Sequence, residues 1–138
     1  MIVAVSSDAL EEMARRVMVR VAMIDGELHP TELDRLRWNA GRLTGRTPTE
    51  QQVQADVAEV QARAVPLAAL LAQARDQLDL EGRRAVVRAA YLIATADGEV
   101  PADEERLVQT IARGLGISPE EFHALVSPMA LARALEGR

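Results

Sequence analysis

Cysteine is missing from this chain, and its absence removes disulfides, thiolate metal sites and cysteine nucleophiles together. Lysine is missing too, so all 16 basic residues are arginine, which we read as a coding bias without functional meaning. Aromatic residues make up only 2% of the chain: Trp38, Tyr91 and Phe122. A core with so few rings has to be built from Leu, Val, Ile, Met and Ala, the composition of close-packed helices rather than of a β-sandwich. Long hydrophobic runs are absent as well. The longest uncharged apolar stretch, Ala64 to Ala72, falls far short of the roughly 20 residues that span a membrane. Residues Met1 to Val5 are apolar but have no basic start and no long apolar continuation, so no signal peptide is expected and a cytoplasmic location is.

What is present supports one packed domain over residues 1–138. Hydrophobic residues reach 49%, which argues against disorder. The net charge of −5 disfavours nucleic acid, whose affinity comes largely from neutralised phosphates. Two arginine groups, Arg15, Arg16 and Arg20, and Arg83, Arg84 and Arg88, have the spacing of basic helix faces, most simply solvated ones.

Six prolines punctuate the chain at Pro30, Pro48, Pro66, Pro101, Pro119 and Pro128, each just ahead of an amphipathic run. Proline suits the first helical position, where its missing N–H is not needed. Thr47 with Glu50 and Ser118 with Glu121 read as capping boxes, and Ser6, Ser7 and Ser127 as further caps. Apolar residues recur at helical steps: Leu10, Met13, Val17, Val21 and Ile24, then Leu33, Leu36, Ala40 and Leu43, then Val53, Val57 and Val60, then Leu67, Leu70, Leu71, Ala74 and Leu78. Ala85 to Ala96 is apolar nearly all round, the mark of a central helix. Leu107, Ile111 and Leu115 follow, then Phe122, Leu125 and Val126, then a short helix after Pro128 through Leu131 and Leu135. No segment alternates as a strand does. The expectation is an all-α bundle of about seven to eight helices.

An internal repeat is the most informative feature. Residues 21–45 read VAMIDGELHPTELDRLRWNAGRLTG and residues 93–116 read IATADGEVPADEERLVQTIARGLG. Asp25, Gly26 and Glu27 match Asp97, Gly98 and Glu99. With one residue of slack, Pro30, Arg35, Leu36, Arg42 and Gly45 match Pro101, Arg106, Leu107, Arg113 and Gly116. A duplicated helix–Asp-Gly-Glu–helix unit predicts a pseudo-two-fold arrangement.

The two corners admit two readings. In one they are turns: Gly26 and Gly98 take the left-handed conformation, Leu28 and Val100 drop back into the core, and Glu32 and Glu104 complement the next helix dipole. In the other they bind a divalent cation, calcium or magnesium, through clustered carboxylates. The ligand candidates are Asp25, Glu27 and Glu32 in the first corner and Asp97, Glu99, Asp103 and Glu104 in the second. Neither corner is an EF-hand loop, because its first and third ligand places hold Val21 and Met23, or Ile93 and Thr95. A bound metal would be partly hydrated, or shared between the corners.

Tyr91-Leu-Ile-Ala-Thr-Ala-Asp-Gly-Glu-Val, followed by Glu104 and Glu105, resembles the TerB-like family, which includes tellurite-resistance proteins and a domain of the DjlA co-chaperones. Met23-Ile-Asp-Gly-Glu-Leu followed by Glu32 is its expected partner, and the resemblance runs from about residue 8 to 126. It implies two pseudo-symmetric helical halves, a bacterial link to tellurite and other chemical stress, and membrane-associated complexes in which such a protein would be peripheral. It also implies suspected metal-binding acids, here Asp25, Glu32, Asp97 and Glu104, and no catalytic residues. The co-chaperone branch carries a His-Pro-Asp motif in a J domain; this chain has none, since Thr31 follows His29-Pro30.

His29 and His123 stand far apart in sequence, without a nearby second ligand, and the serines have no paired base. Trp38 lies off the second helix's stripe, as a contact residue for a partner or as packing against the third helix. Three functions follow as expectations. The first is a non-enzymatic interaction module, cation-responsive, in a stress-response complex with a protein partner. The second is a scaffold whose corners are only turns. The third, weakest, is a metal-dependent enzyme.

Overall fold

The computed structural model describes residues 7–24, 28–95 and 102–136. They form seven helices: α1 (Ser7–Ala22), α2 (Pro30–Thr44), α3 (Glu50–Ala62), α4 (Leu67–Gln77), α5 (Leu80–Ala94), α6 (Ala102–Gly114) and α7 (Pro119–Glu136). No strand occurs among the described residues. Met1 to Ser6, Gly26, Gly98, Val100 and Pro101 lie outside them.

Most helix starts follow the proline and cap chemistry. Pro30 and Pro119 are the first residues of α2 and α7, while Pro66 is the N-cap of α4. Ser118 Oγ accepts the Glu121 N–H at 3.2 Å. The box that opens α3, however, is not Thr47 with Glu50. Thr49 Oγ1 accepts the Gln52 N–H at 3.1 Å, and Gln52 Oε1 accepts the Thr49 N–H at 2.9 Å. Thr47 is committed elsewhere: it packs so closely on Gly41 of α2 that a Cβ there would clash with its Oγ1. α5 starts earlier than its apolar run, with Asp79 Oδ1 accepting the Gly82 N–H at 2.8 Å.

Ser127 does not cap an eighth helix. Its hydroxyl donates back to the His123 carbonyl at 2.6 Å, and α7 runs straight through Pro128. The pyrrolidine ring removes one N–H from the ladder without ending the helix there.

The core is organised on two helices. α5 buries Val86, Val87, Ala89, Ala90 and Ala94, as its all-round apolar composition predicts, and packs against α1, α2, α6 and α7. α1 is the second centre. It packs most extensively on α5 and also meets α2, α3, α4 and α6. Met13, Val17 and Val21 of its stripe are fully buried, but so are Met18 and Val19 on other faces, while Ile24 at the end is exposed.

The repeat is visible in the backbone. Gly45 after α2 and Gly116 after α6 both sit in the left-handed region, at φ +86° and +76°. Gly45 N–H bonds to the Gly41 carbonyl at 2.9 Å, and Ile117 N–H reaches the Ala112 carbonyl at 2.9 Å. Each hairpin therefore ends on a left-handed glycine, with a single bond back at Gly45 and a paired closure from Gly116 and Ile117 to Arg113 and Ala112.

Candidate functional site

Each acidic corner leaves one of the two central helices and leads into the next. At the first, Met23 N–H still bonds to the Val19 carbonyl at 2.9 Å and Ile24 N–H to the Val21 carbonyl at 3.3 Å, so the α1 end tightens as it leaves the core. Leu28 then packs against the core, as the turn reading expects. His29 occupies the N-cap of α2 with an extended backbone and no side-chain cap bond. Glu32 is the third residue of α2, with Oε1 3.9 Å from His29 Nε2.

The second corner leaves α5 at Thr95, which is 3% exposed and donates its hydroxyl to the Tyr91 carbonyl at 2.9 Å. Asp103 and Glu104 fall in the first turn of α6, with Glu104 third, as Glu32 is in α2. Acids at that place complement the N-terminal dipole. Asp25, Glu27, Asp97 and Glu99, and the side chains of Asp103 and Glu104, lie outside the described residues. Among the described residues no group of three acids and histidines is placed to hold a metal ion.

The arginine faces turn inward. Arg15 forms an ion pair with Asp56 of α3, and Arg16 one with Glu59 at 2.8 Å. Arg16 also reaches Gln73 Oε1 of α4 at 3.5 Å, and Arg20 donates to the Val65 carbonyl. Burial pushes the Asp56 carboxyl above its ordinary range, against the opposing pull of Arg15. In the second group, Arg83 donates to the Leu115 carbonyl at 3.1 Å, and Arg84 pairs with Glu81 at 2.7 Å and Glu121 at 3.5 Å. Arg15, Arg16, Arg20 and Arg83 thus tie neighbouring segments together, while Arg84 pairs within α5 and with α7.

Trp38 does not pack into the α2–α3 interface. It is 61% exposed, and the Arg42 guanidinium sits 4.7 Å from its ring centroid, one turn along α2. His123 is exposed beside Phe122, with ring centroids 6.0 Å apart. It borders two small hollows of about 210 and 180 Å³ between α6 and α7.

The chain also matches the sequence profile of the family described as "Tellurite resistance protein TerB" over residues 11–127. The chain belongs to the TerB family. The match begins inside α1 and ends at Ser127, so the TerB region contains both corners and every helix start from α2 to α7. No curated protein and no solved structure matches the chain. In this TerB domain, no described helix is long and apolar enough to cross a membrane.

Sequence reasoning missed the buried Asp56 of α3. The signal was there: Asp56 falls on the same helical face as Val53, Val57 and Val60, where a charge requires a buried partner.

Proposed function

We propose that this chain is a non-enzymatic TerB-family interaction module in a bacterial stress-response system related to tellurite resistance. Its work is to hold a protein partner, within a cytoplasmic complex that is peripheral to the inner membrane. The observation that carries this reading is Trp38, the sole tryptophan, held 61% exposed on α2 under the Arg42 guanidinium. A large ring kept in water and braced by an arginine is the kind of anchor on which binding energy concentrates.

The same reading assigns Asp25, Glu27 and Glu32, and Asp97, Glu99, Asp103 and Glu104, as oxygen ligands for calcium or magnesium. The corners launch α2 and α6, so a cation drawing those carboxylates together would fix the entry angle of the helix that bears Trp38. A second reading has its own support. Leu28 already packs against the core and Pro30 already starts α2, which a metal-independent turn also requires.

Affinity capture from the source cell separates these readings. Proteins retained by the wild type should be lost with Trp38→Ala, whose stability should change by no more than about 0.5 kcal/mol because the ring is exposed. Retention unaffected by Trp38→Ala contradicts the interface. Retention that needs Trp38 but persists in chelator favours the metal-independent scaffold.

A further inference from the structure

An open groove lies between α4 and α6, well away from Trp38 in the chain. It holds about 610 Å³ and is lined by Leu67, Ala68, Leu71, Ala72, Thr110 and Gly114, with Arg75 and Arg113 at its edges. The two helices approach so closely that a Cβ at Gly114 would lie 2.5 Å from Leu71 Cδ1. Leu71 is therefore buried against Gly114, and the surface left open is that of Leu67, Ala68, Ala72 and Thr110.

The charges at the rim are the second observation. Arg75 and Arg113 are exposed, and neither makes a hydrogen bond or ion pair among the described residues. Their neighbour Arg83 is engaged by the Leu115 carbonyl, and Arg84 by Glu81 and Glu121. The repeat sharpens the contrast. Arg113 is the counterpart of Arg42, which stacks on the Trp38 ring; at the place corresponding to Trp38 the second half has Gln109, and Arg113 has no ring beneath it. On a chain with a net charge of −5, Arg75 and Arg113 place two uncommitted guanidinium groups beside one apolar groove.

We propose that this groove receives an amphipathic α-helix of a protein partner, with its apolar stripe on Leu67, Ala68 and Ala72 and acidic residues meeting Arg75 and Arg113. The positions fit. Ala68, Ala72 and Arg75 follow one another at helical steps along α4, spanning roughly 10 Å, which is two turns of a docked helix. The groove is open along its length and offers only one side-chain hydroxyl, Thr110, so it suits a chain with a stripe better than a compact polar ligand. This inference does not rest on the cation reading.

The test uses full-length protein in chelator and two stapled helical peptides of about 15 residues, long enough for a stable helix. Both carry a Leu stripe; one is flanked by Glu and its twin by Lys. The Glu peptide should bind about tenfold more tightly, from two exposed charge pairs. Its amide shifts should cluster at Ala68, Ala72, Thr110 and Gly114. The double variant Arg75→Glu with Arg113→Glu should keep its thermal midpoint and reverse the preference. Equal affinity for the two peptides overturns the proposal, as do shifts centred on Trp38. Binding to phosphatidylcholine–phosphatidylglycerol vesicles that requires both arginines, without peptide discrimination, overturns it in favour of a lipid surface.

Discussion

Arg15 and Arg16 sit on a helix whose other faces are almost entirely dry, and each is satisfied by an acid on α3. Their side chains are only 14% and 10% exposed, and that of Asp56 is 8% exposed. Removing one member of such a pair strands the other away from water. Arg15→Leu should therefore cost about 3 kcal/mol at about pH 7, measured by urea unfolding. The sign of its pH dependence follows from Asp56. Burial already raises that carboxyl in the folded state, so the native chain takes up its proton before the unfolded chain does. Without Arg15 the shift should grow, and the variant should recover part of its loss relative to wild type as pH falls toward the carboxylate range. A loss that is constant with pH would show that Asp56 is not the stranded charge. At this scale the sequence was legible where pattern and chemistry agreed: Leu36, Val53, Leu70, Val86 and Ile111 lie on their predicted stripes and are buried. It was not legible for the arginines, because a guanidinium on a helix face looks the same in sequence whether water or a carboxylate answers it.

Among the elements, helix starts were legible where a cap is decided locally and misread where tertiary packing intervenes. Pro30, Pro119 and Ser118 act where their local chemistry says they should, since a cap is decided within a few residues. The opening of α3 moved to Thr49 because Thr47 is held against Gly41 of α2, a tertiary contact that no local pattern reveals. Pro128 is the opposite case. Local rules make it a helix start, yet α7 passes through it, with Phe122 and Val126 anchoring the preceding turns in the core. Pro128→Ala should restore an N–H for the Ala124 carbonyl. The gain should be about 1–2 kcal/mol in urea unfolding, since an interior proline costs about 3 and its stiffening of the unfolded chain returns part of that. A loss of stability would show instead that the proline shapes a bend the core requires.

For the whole molecule, the duplication explains both what is symmetric and what is not. Two central helices each lead through an acidic corner into a helix that ends on a left-handed glycine, Gly45 or Gly116. The equivalent arginines then diverge, Arg42 under solvent-facing Trp38 and Arg113 at the edge of an apolar groove. A pair of surfaces, each on a corner-launched helix, is a natural arrangement for a module that joins partners. The repeat and the all-α class were readable because they rest on periodicity and identity along the chain. The groove was not, because α4 and α6 have no sequence signal that they will lie side by side.

The cation reading makes the corners set the entry angle of the helix that bears Trp38. Its most direct test is thermal unfolding of chelator-treated protein, alone and with calcium, magnesium, manganese or zinc, repeated on Asp97→Asn with Glu104→Gln. A cation that binds only the folded state, at a hundred times its dissociation constant, should add about 2.7 kcal/mol, a rise of roughly 5–10 °C for a domain of this size. Such a rise is expected with calcium or magnesium, and its loss in the double variant. An unchanged midpoint with every cation, or an equal rise in the variant, would contradict it and leave the corners as turns.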